Sequence, residues 1–243
     1  MSFQNQLKKE MKELKNVVDL VEQYPISSFD PRLAVYNKKC LKYLIQKGMQ
    51  LDIKSFLPRT KSNRISRSTN TIDTVPENTA IMESAAKIGK LKIMRLLLKH
   101  HCQFDEHTFV AAAKRGKLNN LIWLKKHKCP WNAAVFAAAL DCGRVENVQW
   151  LFQKKCPIGG AKEFACEVAA NNGNLELLQW LVEHSFTCDE LVMERAALQG
   201  DVEMISYLLT QNCPIDAESL EAAMKSENKD AIKLLTGWMK NNV

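Results

Sequence analysis

The 243-residue sequence lacks any uninterrupted apolar run of the roughly 18 to 20 residues that a membrane-crossing helix needs. It also lacks the apolar core of an export signal: Met1 to Lys15 carries four lysines and two glutamates among scattered apolar residues. An intracellular, cytoplasmic protein without membrane attachment is expected. Catalytic signatures are missing as well, with no G-x-S-x-G, no H-E-x-x-H, no P-loop and no G-x-G-x-x-G. The histidines His100, His101, His107, His127 and His184 are not placed with any nucleophile. No enzyme is expected, and neither a cofactor nor a metal.

What is present begins with 46% apolar residues, enough to bury a substantial core. Eight cysteines are spread over the long chain rather than concentrated in a small scaffold, which favours free thiols. The net charge of +7 is uneven. Residues 107–133 hold six basic and no acidic side chains, whereas residues 164–190 hold five acidic and none basic.

The glycines reveal a repeat. Gly89, Gly116, Gly143, Gly173 and Gly200 are separated by 27, 27, 30 and 27 residues, and a further step of 27 reaches Glu227. Seven residues before these points stand Met82, Phe109, Phe136, Cys166, Met193 and Leu220. Four before stand Ala85, Ala112, Ala139, Ala169, Ala196 and Ala223, so both positions share one face of a short helix. After the glycine, apolar residues recur at +2 and +5, and leucine occupies +8 in every repeat: Leu97, Leu124, Leu151, Leu181, Leu208 and Leu235. This is the stripe of a second helix. Glu146, Glu176, Glu203 and Asp230 near its start suit the positive end of the helix dipole. Two antiparallel helices per 27 residues cannot bury their own apolar faces, so the repeats must stack. The fold expected is all-α, a solenoid of helix-turn-helix repeats.

These residues resemble the ankyrin repeat family, whose pattern is an A-A-x-x-G turn, then L-E-x-x-K-L-L-L, then G-A-D-V-N. Ala169 to Val182 reads A-A-N-N-G-N-L-E-L-L-Q-W-L-V. Apolar residues fill the valine slot (Phe104, Trp131, Ile158, Cys188, Ile215), and Asp105, Asn132, Asp189 and Asp216 follow it. The T-P-L-H opening is missing and the period is about six residues shorter than the family's ~33. The shortening falls where the family carries its hairpin finger, so the fingers should be shortened or absent. The Cys-Pro turns and the Trp-Leu of the second helix resemble the shortened ankyrin-like repeats of large DNA virus proteins.

Outside the six repeats of 79–243, three segments are expected. Residues 1–24 carry Leu7, Met11, Leu14, Val18 and Val21 at helical spacing and read as an amphipathic capping helix. Residues 32–52 contain Lys42 to Asp52, K-Y-L-I-Q-K-G-M-Q-L-D, and read as a degenerate first repeat. Residues 53–78 form a basic loop rich in Ser and Thr.

Cys102, Cys129, Cys156 and Cys213 recur at one repeat position. Neighbouring helices lie ~8 to 10 Å apart, too far for one ion or a disulfide, so these are buried small side chains in the turn. Pro130, Pro157 and Pro214 should set the φ of the turn that ends the second helix. Trp123, Trp150, Trp180 and Tyr207 at +7 read as core between repeats.

Positions that recur are scaffold, and those that differ are free for recognition. The pair before each turn glycine differs most: Lys87-Ile88, Lys114-Arg115, Asp141-Cys142, Asn171-Asn172, Leu198-Gln199 and Lys225-Ser226. In the family that this chain resembles, this end of the first helix lies near the concave surface. The resemblance therefore implies a module binding a protein partner through Lys87, Lys114, Arg115, Lys117, Asn171, Asn172 and Gln199, and a monomer is expected although the sequence does not fix the oligomeric state. The basic cluster Lys117, Lys125, Lys126 and Lys128 is nominated with these positions. The alternative is nucleic-acid binding through the basic N-terminal half.

Overall fold

A computed structural model describes Lys42 and residues 79–242. The segments 1–24, 32–52 and 53–78 lie outside the described residues, apart from Lys42, which is helical and exposed. The chain divides into two units, Met1–Pro130 and Trp131–Val243. The described part of the first holds two helix pairs, α1 (Thr79–Ile88) with α2 (Leu91–Lys99) and α3 (Glu106–Arg115) with α4 (Leu118–Lys126). The second holds four: α5 (Ala133–Cys142) with α6 (Val145–Gln153), α7 (Ala161–Asn171) with α8 (Leu175–Glu183), α9 (Glu190–Gln199) with α10 (Val202–Thr210), and α11 (Ala217–Lys225) with α12 (Lys229–Asn242). No strand occurs among the described residues, so the hairpin finger is absent there.

Four of the six described first helices, α3, α5, α9 and α11, start on a side-chain cap, whereas α7 starts at Gly160 without one. The Asp or Asn after the valine slot accepts from the backbone of the opening turn: Asp105 from Thr108 N–H, Asn132 from Ala134 N–H, Asp189 from Val192 N–H and Asp216 from Ser219 N–H. Such caps contribute about 1 kcal/mol each. The first helix ends on the turn glycine, whose left-handed φ (73° at Gly116, 69° at Gly143, 66° at Gly200) lets its N–H reach back to the last helical carbonyls. Glu227 takes this conformation without being glycine, at φ 58°.

The second helix ends differently from the sequence expectation. Its turn is made by the residue ahead of the cysteine position, which Phe186 fills in one repeat: His101, Lys128, Lys155, Ser185 and Asn212 all have φ between 53° and 62°. The next N–H then donates to the +8 leucine carbonyl, as from Cys129 to Leu124 and from Cys156 to Leu151, both at 3.0 Å. This is a Schellman end that normally calls for glycine. Pro130, Pro157 and Pro214 come after it and open the loop instead of making the turn.

First helices pack on first helices in both units, α1 on α3 in one and α5 on α7, α7 on α9 and α9 on α11 in the other, and in the second unit second helices pack on second helices, α6 on α8 and α10 on α12. The −4 alanines and +8 leucines are fully buried in every repeat. A fully buried leucine stabilises by about 2 kcal/mol, so these rows are the main cohesive element. Leu220 and Ile232 are only half-buried, because no pair follows α11 and α12 among the described residues.

The +7 aromatics divide. Trp123 is buried, but Trp150, Trp180 and Tyr207 are half-buried, because +7 falls at the edge of the stripe centred on +5 and +8. Trp180 stacks on His184 at 4.1 Å and meets the Phe152 ring edge-on at 5.4 Å. Trp131 is half-buried, with Trp150 edge-on at 6.5 Å. Phe186 occupies the cysteine position of its repeat and stacks on Phe136 at 6.1 Å.

Candidate partner-binding surface

All seven residues expected to meet a partner are exposed. In the first unit, Lys87, Lys114 and Arg115 lie in the last turns of α1 and α3. Lys87 pairs with Glu83 one turn earlier at 2.6 Å, an exposed contact worth little. Lys117 follows the turn, and its ammonium donates to the Gly89 carbonyl of the preceding repeat at 3.1 Å.

The same link recurs in the second unit, where the residue after the left-handed turn residue, Gly173 or Glu227, is again the donor. Asn174 Nδ2 donates to the Gly143 carbonyl at 2.6 Å and Asn228 Nδ2 to the Gly200 carbonyl at 2.8 Å. Both asparagines also cap their own helix, since Asn174 Oδ1 accepts from Leu177 N–H and Asn228 Oδ1 from Asp230 N–H. One side chain thus satisfies a helix start and ties two repeats together. Sequence reasoning missed this device, because Lys, Asn and Asp at one position look like free variation until the carbonyl facing them is known. Lys117 therefore has a scaffold contact besides any recognition role.

In the second unit the structure brings Asn171 and Asn172 together in a groove of about 570 Å³, with Asp141, Phe164, Glu167, Val168 and Arg195. Arg195 Nε donates to Glu167 Oε1 at 3.1 Å, joining α9 to α7 across it. Gln199 Nε2 donates to the Asn171 carbonyl at 3.3 Å and so extends the groove's edge. Phe164, Glu167 and Arg195 were not expected here. Their signal was helical spacing: Phe164 and Glu167 precede Asn171 by seven and four residues, and Arg195 precedes Gln199 by four. Phe164, Leu191, Leu198 and Met224 are the exposed large apolar side chains of these first helices. Apolar groups framed by charges give this face the make-up of a protein contact surface.

The cysteine ladder is buried as expected and adds a hydrogen bond. Cys129 Sγ donates to the Asp105 carbonyl at 3.2 Å and Cys213 Sγ to the Asp189 carbonyl at 3.4 Å, each reaching the capping residue of the preceding repeat. Burial pushes the thiols up, to about 11 at Cys102 and about 12 at Cys129 and Cys166. The hydrogen bond to Cys188, followed by burial, also pushes Cys213 up. Neutral thiols at physiological pH are poor nucleophiles and poor metal ligands.

Helix pairs turning on a left-handed glycine, with first and second helices stacked in separate rows, make up the ankyrin-type repeat fold. Residues 166–209 match the family model for ankyrin repeats (many copies). The chain is similar in structure to the human ASB11 ankyrin repeat domain, with a TM-score of 0.57 and 18% sequence identity over 87% of this chain and 97% of that one. No curated protein matches the chain. No helix among the described residues is long and apolar enough to cross a membrane.

Proposed function

We propose that the chain is a protein-interaction module that holds a protein partner on the exposed ends of its first helices. The supporting observation is the contrast within each repeat: the −4 alanine and +8 leucine are buried and constant, while the pair at the end of the first helix changes from repeat to repeat and is exposed except for the half-buried Ile88, Cys142 and Ser226. No catalytic role is proposed. The Cys-Pro turns that resemble those of large DNA virus proteins favour a viral, host-directed role in the cytoplasm. Affinity purification of the full chain followed by crosslinking mass spectrometry tests the surface. Crosslinks from Lys87 or Lys114 to one partner are expected, with capture lost on Lys114→Glu plus Arg115→Glu; undiminished capture by that variant counts against it.

The basic side chains of the first unit favour a second reading, nucleic-acid binding. It requires affinity that falls steeply as salt rises. A gel shift at low salt with single- and double-stranded probes showing no complex disposes of it.

A further inference from the structure

The second helices of the first unit carry a surface that is separate from the first-helix ends. Between α2 and α4 runs a groove of about 750 Å³, flanked by Arg95, Lys99 and Lys126, with Leu98 and Ile122 between them. Neither helix contains a carboxylate. No ion pair among the described residues involves Arg95, Lys99 or Lys126. Ile122 is 42% exposed although it is a large apolar side chain on a stable helix. Each helix is nine residues long, about 13 Å, enough to run beside two turns of a bound helix.

We propose that this groove docks an acidic peptide segment of a protein partner, with apolar anchors on Leu98 and Ile122 and carboxylates facing Arg95, Lys99 and Lys126. An apolar floor with a charged rim is the layout of a helix-in-groove site. The charge complementarity selects acidic partners, and unpaired cations lose no existing ion pair on binding. A single-stranded nucleic acid is the poorer occupant, because stacking of bases needs an open aromatic face. Trp123, the aromatic in the groove, is 7% exposed, with the His127 ring 4.4 Å away and Phe104 at its edge.

Selection from a phage-displayed random peptide library on the full chain, with counter-selection on Arg95→Glu plus Lys126→Glu, tests the proposal. Enriched peptides are expected to combine Asp or Glu with Leu, Ile or Phe at helical spacing. Synthetic copies should bind at least tenfold more weakly to Ile122→Asp and to the charge-reversed variant. Binding to Lys154→Glu, which removes an exposed lysine of the second unit, should be unchanged. Circular dichroism confirms that each variant is folded. Enrichment of basic or charge-free peptides, enrichment that survives counter-selection, or preferential binding of a single-stranded oligonucleotide would each overturn it. So would copies of this chain's own acidic stretch, residues 163–194, competing as the best ligand while the protein dimerises on sedimentation, since the groove would then serve self-assembly.

Discussion

The side-chain amide of Asn174 spans two repeats: its oxygen accepts from Leu177 N–H at the start of α8, and its nitrogen donates to the Gly143 carbonyl at the preceding turn. An amide performs both roles with one side chain because it carries an acceptor and a donor on separate atoms. Asp201, at the same repeat position, caps α10 through Met204 N–H, but a carboxylate has no hydrogen to offer the turn before it.

Replacing Asn174 therefore separates the two roles. Asn174→Asp keeps the cap but sets a carboxylate against the Gly143 carbonyl, and a loss of about 1 to 2 kcal/mol is expected. Asn174→Ala loses both roles, and about 2 to 3 kcal/mol is expected. Urea unfolding monitored by circular dichroism measures both. An Asp variant as stable as the parent would show that the link between repeats contributes nothing.

Asn120 and Asn147 occupy the +4 position of their repeats, and they are 2% and 1% exposed. Their Nδ2 atoms meet no acceptor among the described residues. Ile93, Leu177 and Met204 fill the same register and are buried without difficulty. Asn147→Leu should stabilise the protein by about 1 to 2 kcal/mol, because it removes a buried donor that lacks a partner. A lower urea midpoint in this variant would mean that the amide is satisfied in solution.

Backbone strain sits at the left-handed positions that are not glycine. Glu227 at φ 58° and Lys155 at φ 56° should each gain up to about 1 kcal/mol on replacement by glycine. Gly143→Ala should lose a similar amount, since its φ is 69°. Thermal melts of Glu227→Gly, Lys155→Gly and Gly143→Ala should therefore move in opposite directions. A drop on Glu227→Gly would reject the strain argument.

Alkali should weaken the fold through the buried thiols. In the unfolded chain a thiol ionises near 9.0, whereas burial holds Cys129 and Cys166 to about 12. A raised folded value means that the folded state keeps the proton longer. This stability is fully present below pH ~9 and is lost as pH rises from there through the folded value. The urea midpoint should fall between pH 9 and 11, and Cys129→Ala should show a shallower fall. Alkylation at pH 8 should spare Cys129 and Cys166 and label the partly exposed Cys142 ahead of both. Equal labelling of all three thiols at the same rate would contradict their burial.

The sequence alone carried the period, the helix pairs and the buried rows. Turn glycine, −4 alanine and +8 leucine depend on local conformation and on helix periodicity, both of which are properties of neighbouring residues along the chain. Lys114 and Asn171 were singled out by their variation between repeats and by the family resemblance, and both are exposed. Contacts that side chains make with groups 24 to 31 residues away were decided only by tertiary structure: the thiol of Cys129 on the Asp105 carbonyl, Asn174 on the Gly143 carbonyl, and Arg195 with Glu167 across the groove. So was the partial exposure of Trp150 and Trp180, which depends on how far the neighbouring repeat reaches over the stripe edge. The groove between α2 and α4 likewise needs two helices side by side before Arg95, Ile122 and Lys126 can face one space. Periodicity specifies which face of a helix is buried, but only packing against the next repeat determines what that face touches.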